Sequence, residues 1–175
     1  MKINNFYYFP ILLLAVGIAV RCLFIGNMPD GLNQDEASIA YDAWALLHSG
    51  IDRWGLSWPV HFISWGSGQN ALYAYLSMPF IAIGGINLTS IRAAAALLGV
   101  ITLLLVWRMA KVRGRESELI FLLIFVTSPW HIMASRWALE SNAAPAFVLF
   151  GTYFFFRAAE KPGIFLPLGA ALITL

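Results

Sequence analysis

The chain is 175 residues long, 60% hydrophobic, 15% aromatic and only 11% charged, with a mean hydropathy of +0.74 and a formal net charge of +2. So few polar residues cannot cover a soluble domain of this length, and the composition is that of a membrane protein. The basic residues flank apolar runs instead of forming one patch, which excludes nucleic acid as a partner, and the single cysteine, Cys22, excludes an internal disulfide and a cysteine-held metal cluster.

A helix needs about 20 mostly apolar residues to cross about 30 Å of hydrocarbon. The apolar runs predict an all-α, polytopic fold with spans over residues 6–25, 88–108, 119–135, 143–158 and 164–175. Pro10, Pro145 and Pro167 fall near the beginnings of their spans, where a missing backbone donor costs least. No small-x-small cleavage site follows the first run, which therefore reads as a retained anchor; Arg21 directly before Cys22 argues against a lipid attachment site and for an inert, buried thiol. The last run has no polar flank, as expected of the N-terminal part of one longer transmembrane domain.

Residues 70–85, "NALYAYLSMPFIAIGG", are short for a span and carry Pro79 and a glycine pair. Charge bias assigns them. Lys2, the cluster Arg108, Lys111, Arg113 and Arg115, and the pair Arg157 and Lys161 should all be cytoplasmic, which requires an even number of spans between each group and the next. Residues 70–85 are then a juxtamembrane or re-entrant helix on the outer side. The N-terminus is cytoplasmic, residues 26–87 form an outer loop, and Asp35, Glu36, Arg136 and Glu140 share the outer face.

Within that loop, Pro29 and Gly31 break the chain, and Asn33 is placed to cap a helix over residues 35–48, with Glu36 completing a capping box. Ile39, Ala40, Ala43, Trp44 and Leu47 recur at helical spacing, and Trp44 and Trp54 suit a membrane interface. Ser38 and Asp42 follow on the Asp35 face. Acids in a first turn complement the helix N-terminus by about 0.3 to 1 kcal/mol each. A carboxylate at the mouth of a membrane cavity also suits a general base. Both readings are open on the residues alone.

The segment "SRWALESNAAPAF" adds Arg136 and Glu140 on the same side. They suit an exposed loop ion pair or contact with lipid headgroups. They also suit transfer from an anionic lipid, in which cations hold a phosphate leaving group while a carboxylate takes the acceptor's proton. "DRWGLSWPVHF", residues 52–62, reads first as an interfacial anchor, although its aromatics also suit a sugar ring. "SWGSGQN" lacks the strand-to-helix setting of a nucleotide loop and reads as a flexible connection. His48, His61 and His131 have no metal-ligand spacing; no cofactor is firmly expected, and the one candidate is a divalent ion shared by Asp35, Glu140 and residues outside this stretch of chain.

Taken in order, "DEASIAYDAWALLHSG", "SGQNALYAYLSMPFIAIGG", "IRAAAALLGVITLLLVWRMAK" and "SRWALE" resemble the N-terminal half of lipid-carrier-dependent glycosyltransferases. The family is that of the protein O-mannosyltransferases and the lipid A aminoarabinose transferase, glycosyltransferase family 39 of the C-type superfamily. The resemblance implies an integral enzyme of a bacterial plasma membrane that moves a sugar, with inversion, from a polyprenyl-phosphate donor to a protein, lipid or glycan acceptor on the outer face. It carries a catalytic role to Asp35, with Glu36 and Glu140 in the same site, and places Arg92 and Arg136 where relatives often hold arginines. Tyr41, His61 and Gln69 are the further candidates for substrate contact. The chain departs from the pattern in having Ser38 and Ile39 in place of an Arg-Tyr pair, Gly68, Gln69 and Asn70 in place of Glu-Lys-Pro, and Glu140 in place of an aspartate.

The alternative is a polytopic transporter or flippase with outer carboxylates. That class needs ionisable residues within spans and internal repeats. Arg21 is essentially the only internal charge, and no repeat is visible.

Overall fold

A computed structural model describes residues 8–64, 66–161 and 163–174. They form α1 (Phe9–Cys22), α2 (Gln34–Ser49), a hairpin of β1 (His61–Ser64) and β2 (Ser67–Asn70), α3 (Leu72–Gly84), α4 (Leu88–Lys111), α5 (Arg115–Thr127), α6 (Pro129–Ala134), α7 (Glu140–Glu160) and α8 (Phe165–Thr174). The architecture is mostly helical. Among the described residues, α4 is the helix that is both long and apolar enough to cross a membrane by itself, while α1, α3 and α8 are shorter apolar helices. Lys2 and the expected start of the first span lie outside the described residues.

Helix α4 is the axis of the packing and touches α1, α3, α5, α6 and α7. Asn87 starts it by accepting a hydrogen bond from the Ser90 N–H at 3.0 Å while donating to the Gly84 carbonyl at 2.7 Å, which also closes the end of α3. Two cores divide along its length. One gathers Ile39, Leu46, Phe62, Tyr73, Ile81 and Ile91 from α2, the hairpin, α3 and the first half of α4. The other gathers Leu14, Leu103, Leu122 and Val126 from α1, the second half of α4 and α5.

The fully buried Tyr73 fixes α3 to α4. Its hydroxyl donates to the Ile91 carbonyl at 2.9 Å and accepts from the Ala95 N–H at 3.0 Å, so it engages both partners of one rung of the α4 ladder. Ile11, Leu12 and Val16 on α1, and Ile120, Phe121, Leu123 and Ile124 on α5, point apolar side chains outward.

Several expectations are corrected. Residues 119–135 are not one helix: Pro129, lacking an N–H, opens α6, and Ser128 caps it, so the run is divided after Thr127. Most of the glycine-rich connection is a strand: Gly66 has φ +70°, and residues 67–70 pair antiparallel to 61–64, which delays the following helix to Leu72. The all-α expectation therefore missed a two-stranded hairpin. Cys22 is exposed, because Arg21 takes the inward position at the end of α1.

Candidate functional site

The acid pair divides at the first turn of α2. Asn33 adopts an extended conformation and caps the helix: its side chain accepts from the Asp35 N–H at 3.0 Å, and its own N–H donates to Glu36 Oε2 at 3.2 Å. The cap turns Glu36 into the protein and leaves Asp35 outside. Glu36 is fully buried, and Arg92, equally buried, donates to it through Nε to Oε1 and through Nη2 to Oε2, each at 2.8 Å. The Ala138 N–H adds a third element at 2.9 Å from Oε1. Burial opposes ionisation of Glu36, but the hydrogen bonds from Arg92, Ala138 and Asn33 outweigh it and hold the carboxyl below its ordinary value.

Arg92 is saturated by this arrangement. Beyond Glu36 it donates through Nη1 to the carbonyls of Ile25 and Pro29 and through Nη2 to that of Gly31, which employs every N–H of the guanidinium. Arg136 is also turned to backbone. It donates to Met28 and Leu23 carbonyls at 3.1 and 2.9 Å and to the Val20 carbonyl, closing the C-terminal end of α1. The two arginines expected beside a phosphate thus anchor residues 20–31.

Asp35 is exposed, and its carboxylate has no hydrogen-bond or ion-pair partner among the described residues. Ser38 and Asp42 follow it on one face of α2, three and seven positions on. Across that face runs a directed line of hydrogen bonds. Arg53 donates to the carbonyl and hydroxyl of Ser38; the Ser38 hydroxyl donates to Gln69 Oε1 at 3.2 Å; Gln69 Nε2 donates to Glu140 Oε2 at 3.2 Å. An ionised Glu140 can only accept, which fixes the Gln69 amide with its nitrogen toward α7 and its oxygen toward Ser38. Gln69 is buried beside Phe62, its partner in the strand register.

Arg53 is the residue that the sequence reading passed over. Asp52 Oδ1 accepts from the N–H groups of Trp54 and Leu56 at 2.9 and 2.8 Å, and this turn brings Arg53 back over α2. There Asp42, fully buried, takes the Arg53 backbone N–H at 3.1 Å and Nε at 2.9 Å, and also meets Nη2. The signal in the sequence was a lone cation within an aromatic segment of the outer loop.

Other candidates stand apart. Tyr41 is exposed, lies about 120° around α2 from Asp35, and packs on Trp44 with ring centroids 6.3 Å apart. His61 pairs with Asn70 on the outward face of the hairpin, opposite to the face that buries Phe62 and Gln69. Among the described residues, no three His, Cys, Asp or Glu side chains converge as a metal site.

Two cavities meet beneath the polar line. One of about 190 Å³ is bounded by Asn70, Glu140, Ser141 and Phe147. The other, about 400 Å³ and mostly apolar, lies between α4, α5, α6 and α7, with Leu98, Ile124, His131 and Leu149 in its walls. Tyr73 and Ala143 belong to both.

A helical chain of membrane composition, with a carboxylate-bearing polar face adjoining an apolar cleft, is built like an enzyme that handles an amphipathic substrate. The family model described as dolichyl-phosphate-mannose-protein mannosyltransferase matches residues 69–174, more than half of the chain, and the chain belongs to this family. The family is one of membrane-integral glycosyltransferases that use a lipid-linked sugar. The match takes in Gln69, Arg92, Arg136 and Glu140, whereas Asp35, Glu36, Tyr41, Arg53 and His61 precede it. No curated protein and no solved structure matches the chain.

Proposed function

We propose that the chain forms the N-terminal part of a polytopic glycosyltransferase domain that transfers a sugar from a polyprenyl phosphate, with inversion, to an acceptor hydroxyl at the outer membrane face. The observation that carries this reading is the contrast within the acid pair. Glu36 is buried and saturated, whereas Asp35 is exposed and has no partner among the described residues.

In this mechanism Asp35 takes the proton of the acceptor hydroxyl as its oxygen bonds to the anomeric carbon. The bond from that carbon to the phosphate oxygen breaks, and the electron pair leaves with the lipid phosphate. Glu36 acts one step removed, by fixing the turn that presents Asp35. Glu140, with one oxygen held by Gln69, faces the smaller cavity, where it orients a sugar or acceptor hydroxyl. The apolar cleft adjoining that cavity suits the lipid tail.

Further support comes from packing and surfaces. Helix α3, 13 residues long and interrupted by Pro79, packs on both α2 and α4, which suits a helix held with α2 at the membrane surface. The outward apolar faces of α1 and α5 suit lipid contact. In this topology α1, α4, α5 with α6, α7 and α8 are spans, and α2, the hairpin and α3 are outside. The test is transfer of labelled sugar from polyprenyl-phosphate donors by membranes containing wild type or Asp35→Asn. Transfer should vanish in the variant at equal expression; retained transfer would reject the role of Asp35.

A further inference from the structure

A reaction that expels a lipid phosphate requires a cation beside the reacting carboxylate, because negative charge accumulates on the phosphate as the bond to the sugar breaks. Arg92 has no N–H left to give, and Arg136 lies against the carbonyls of residues 20, 23 and 28. Arg21 is fully buried and bonds to the carbonyls of Gly17 and Phe125 and to His131 Nδ1.

Arg53 differs from all three. Its Nε and Nη2 edge is held by Asp42 and Ser38, while Nη1 has no partner among the described residues, and the side chain is 28% exposed. Among the described residues, every hydrogen bond to the buried Asp42 carboxylate comes from Arg53, from its backbone as well as its guanidinium. A simple tie between loop and helix has no use for a free outer edge. An anion receptor does, and the Asp42 clamp orders the long side chain before any ligand arrives. Ser38, beneath the guanidinium, is one helical turn from Asp35, about 5 Å along the axis.

We infer that Arg53 is the phosphate-recognising residue of this chain, its free Nη1 edge receiving the phosphate of the lipid-linked donor next to Asp35. This rests on the lipid-phosphate reading above and names the residue that executes it. The aromatic loop from Trp54 to Trp58 then frames the donor, and not the membrane surface alone.

The test measures binding of polyprenyl monophosphate against polyprenol of the same length, using the chain in lipid nanodiscs. Wild type should prefer the phosphate by roughly tenfold or more, the scale of a charge-assisted hydrogen-bond pair. Arg53→Lys, which keeps the charge and the contact with Asp42 but loses the fork, should lower the preference severalfold. Arg53→Gln with Asp42→Asn, which leaves no unpaired carboxylate, should abolish it. Full preference in both variants would overturn the assignment to Arg53 and leave the lipid-phosphate reading intact. No preference in wild type would overturn that reading, and this inference with it.

Discussion

Glu36 and Arg92, 56 positions apart in the chain, meet through two hydrogen bonds of 2.8 Å with neither side chain reaching solvent. Removing one partner of such a pair leaves a buried charge, at a cost of about 3 to 5 kcal/mol. Glu36→Gln should lower the thermal unfolding temperature in detergent accordingly. Arg92→Lys should do no better than Arg92→Gln, because an ammonium cannot also reach the carbonyls of Ile25, Pro29 and Gly31.

The same pair sets an acid limit on stability. Because the carboxyl of Glu36 is held below its unfolded value of 4.5, its stabilising contribution is complete above about pH 4.5 and is lost as pH falls through the lower, folded value. Unfolding scans from pH 7 to pH 3 should show a drop at the acid end. In Glu36→Gln that drop should be smaller.

Asp35 should behave in the opposite way. Its carboxylate contributes a helix-end charge worth about 0.3 to 1 kcal/mol, so Asp35→Asn should unfold within a few degrees of wild type while glycosyl transfer falls by about 10² to 10⁴, the range of general-base catalysis. A variant as unstable as Glu36→Gln would place Asp35 among the structural residues.

Much of this was legible in the sequence, because the signals were local. The cap at Asn33, the extent of α2 and the short apolar helix α3 follow from composition and spacing over a few residues. The division of labour within the acid pair was not, since it depends on Arg92 and Ala138, which only the fold brings to Glu36. Arg53 was hidden for a similar reason: the turn at Asp52 and the buried Asp42 that place it cannot be inferred from a lone arginine among tryptophans. Arg92 and Arg136 drew attention by position, yet all the hydrogen bonds of Arg136, and those of Arg92 beyond Glu36, go to backbone carbonyls, which leave no mark in a sequence.

Gln69 and Glu140 offer a test by exchange. Gln69→Glu sets two carboxylates against each other and removes a donor, which should destabilise by about 1 to 3 kcal/mol. Adding Glu140→Gln restores a donor facing an acceptor, and the Ser38 hydroxyl can still donate to the new carboxylate. The double variant should recover more than half of the loss, measured by thermal unfolding. Recovery below that would show that the bridge contributes little.

Gly99 and Ser135 set the width of the apolar cleft, since both line it. A Cβ at Gly99 would stand 2.1 Å from Ser135 Oγ and 2.5 Å from its Cβ, so α4 and α6 can cross this closely only with a glycine. Gly99→Ala must push α6 away, at about 1 to 3 kcal/mol. His131, on α6, also lines the cleft, so the displacement should raise the apparent KM for a polyprenyl-phosphate donor more than it lowers kcat. Ser135→Ala cannot relieve the clash, because the Cβ remains, whereas Ser135→Gly removes both offending atoms. Rescue of donor KM in Gly99→Ala by Ser135→Gly, and not by Ser135→Ala, would tie the crossing distance to lipid-donor binding; equal rescue by both would assign the defect to the serine hydroxyl.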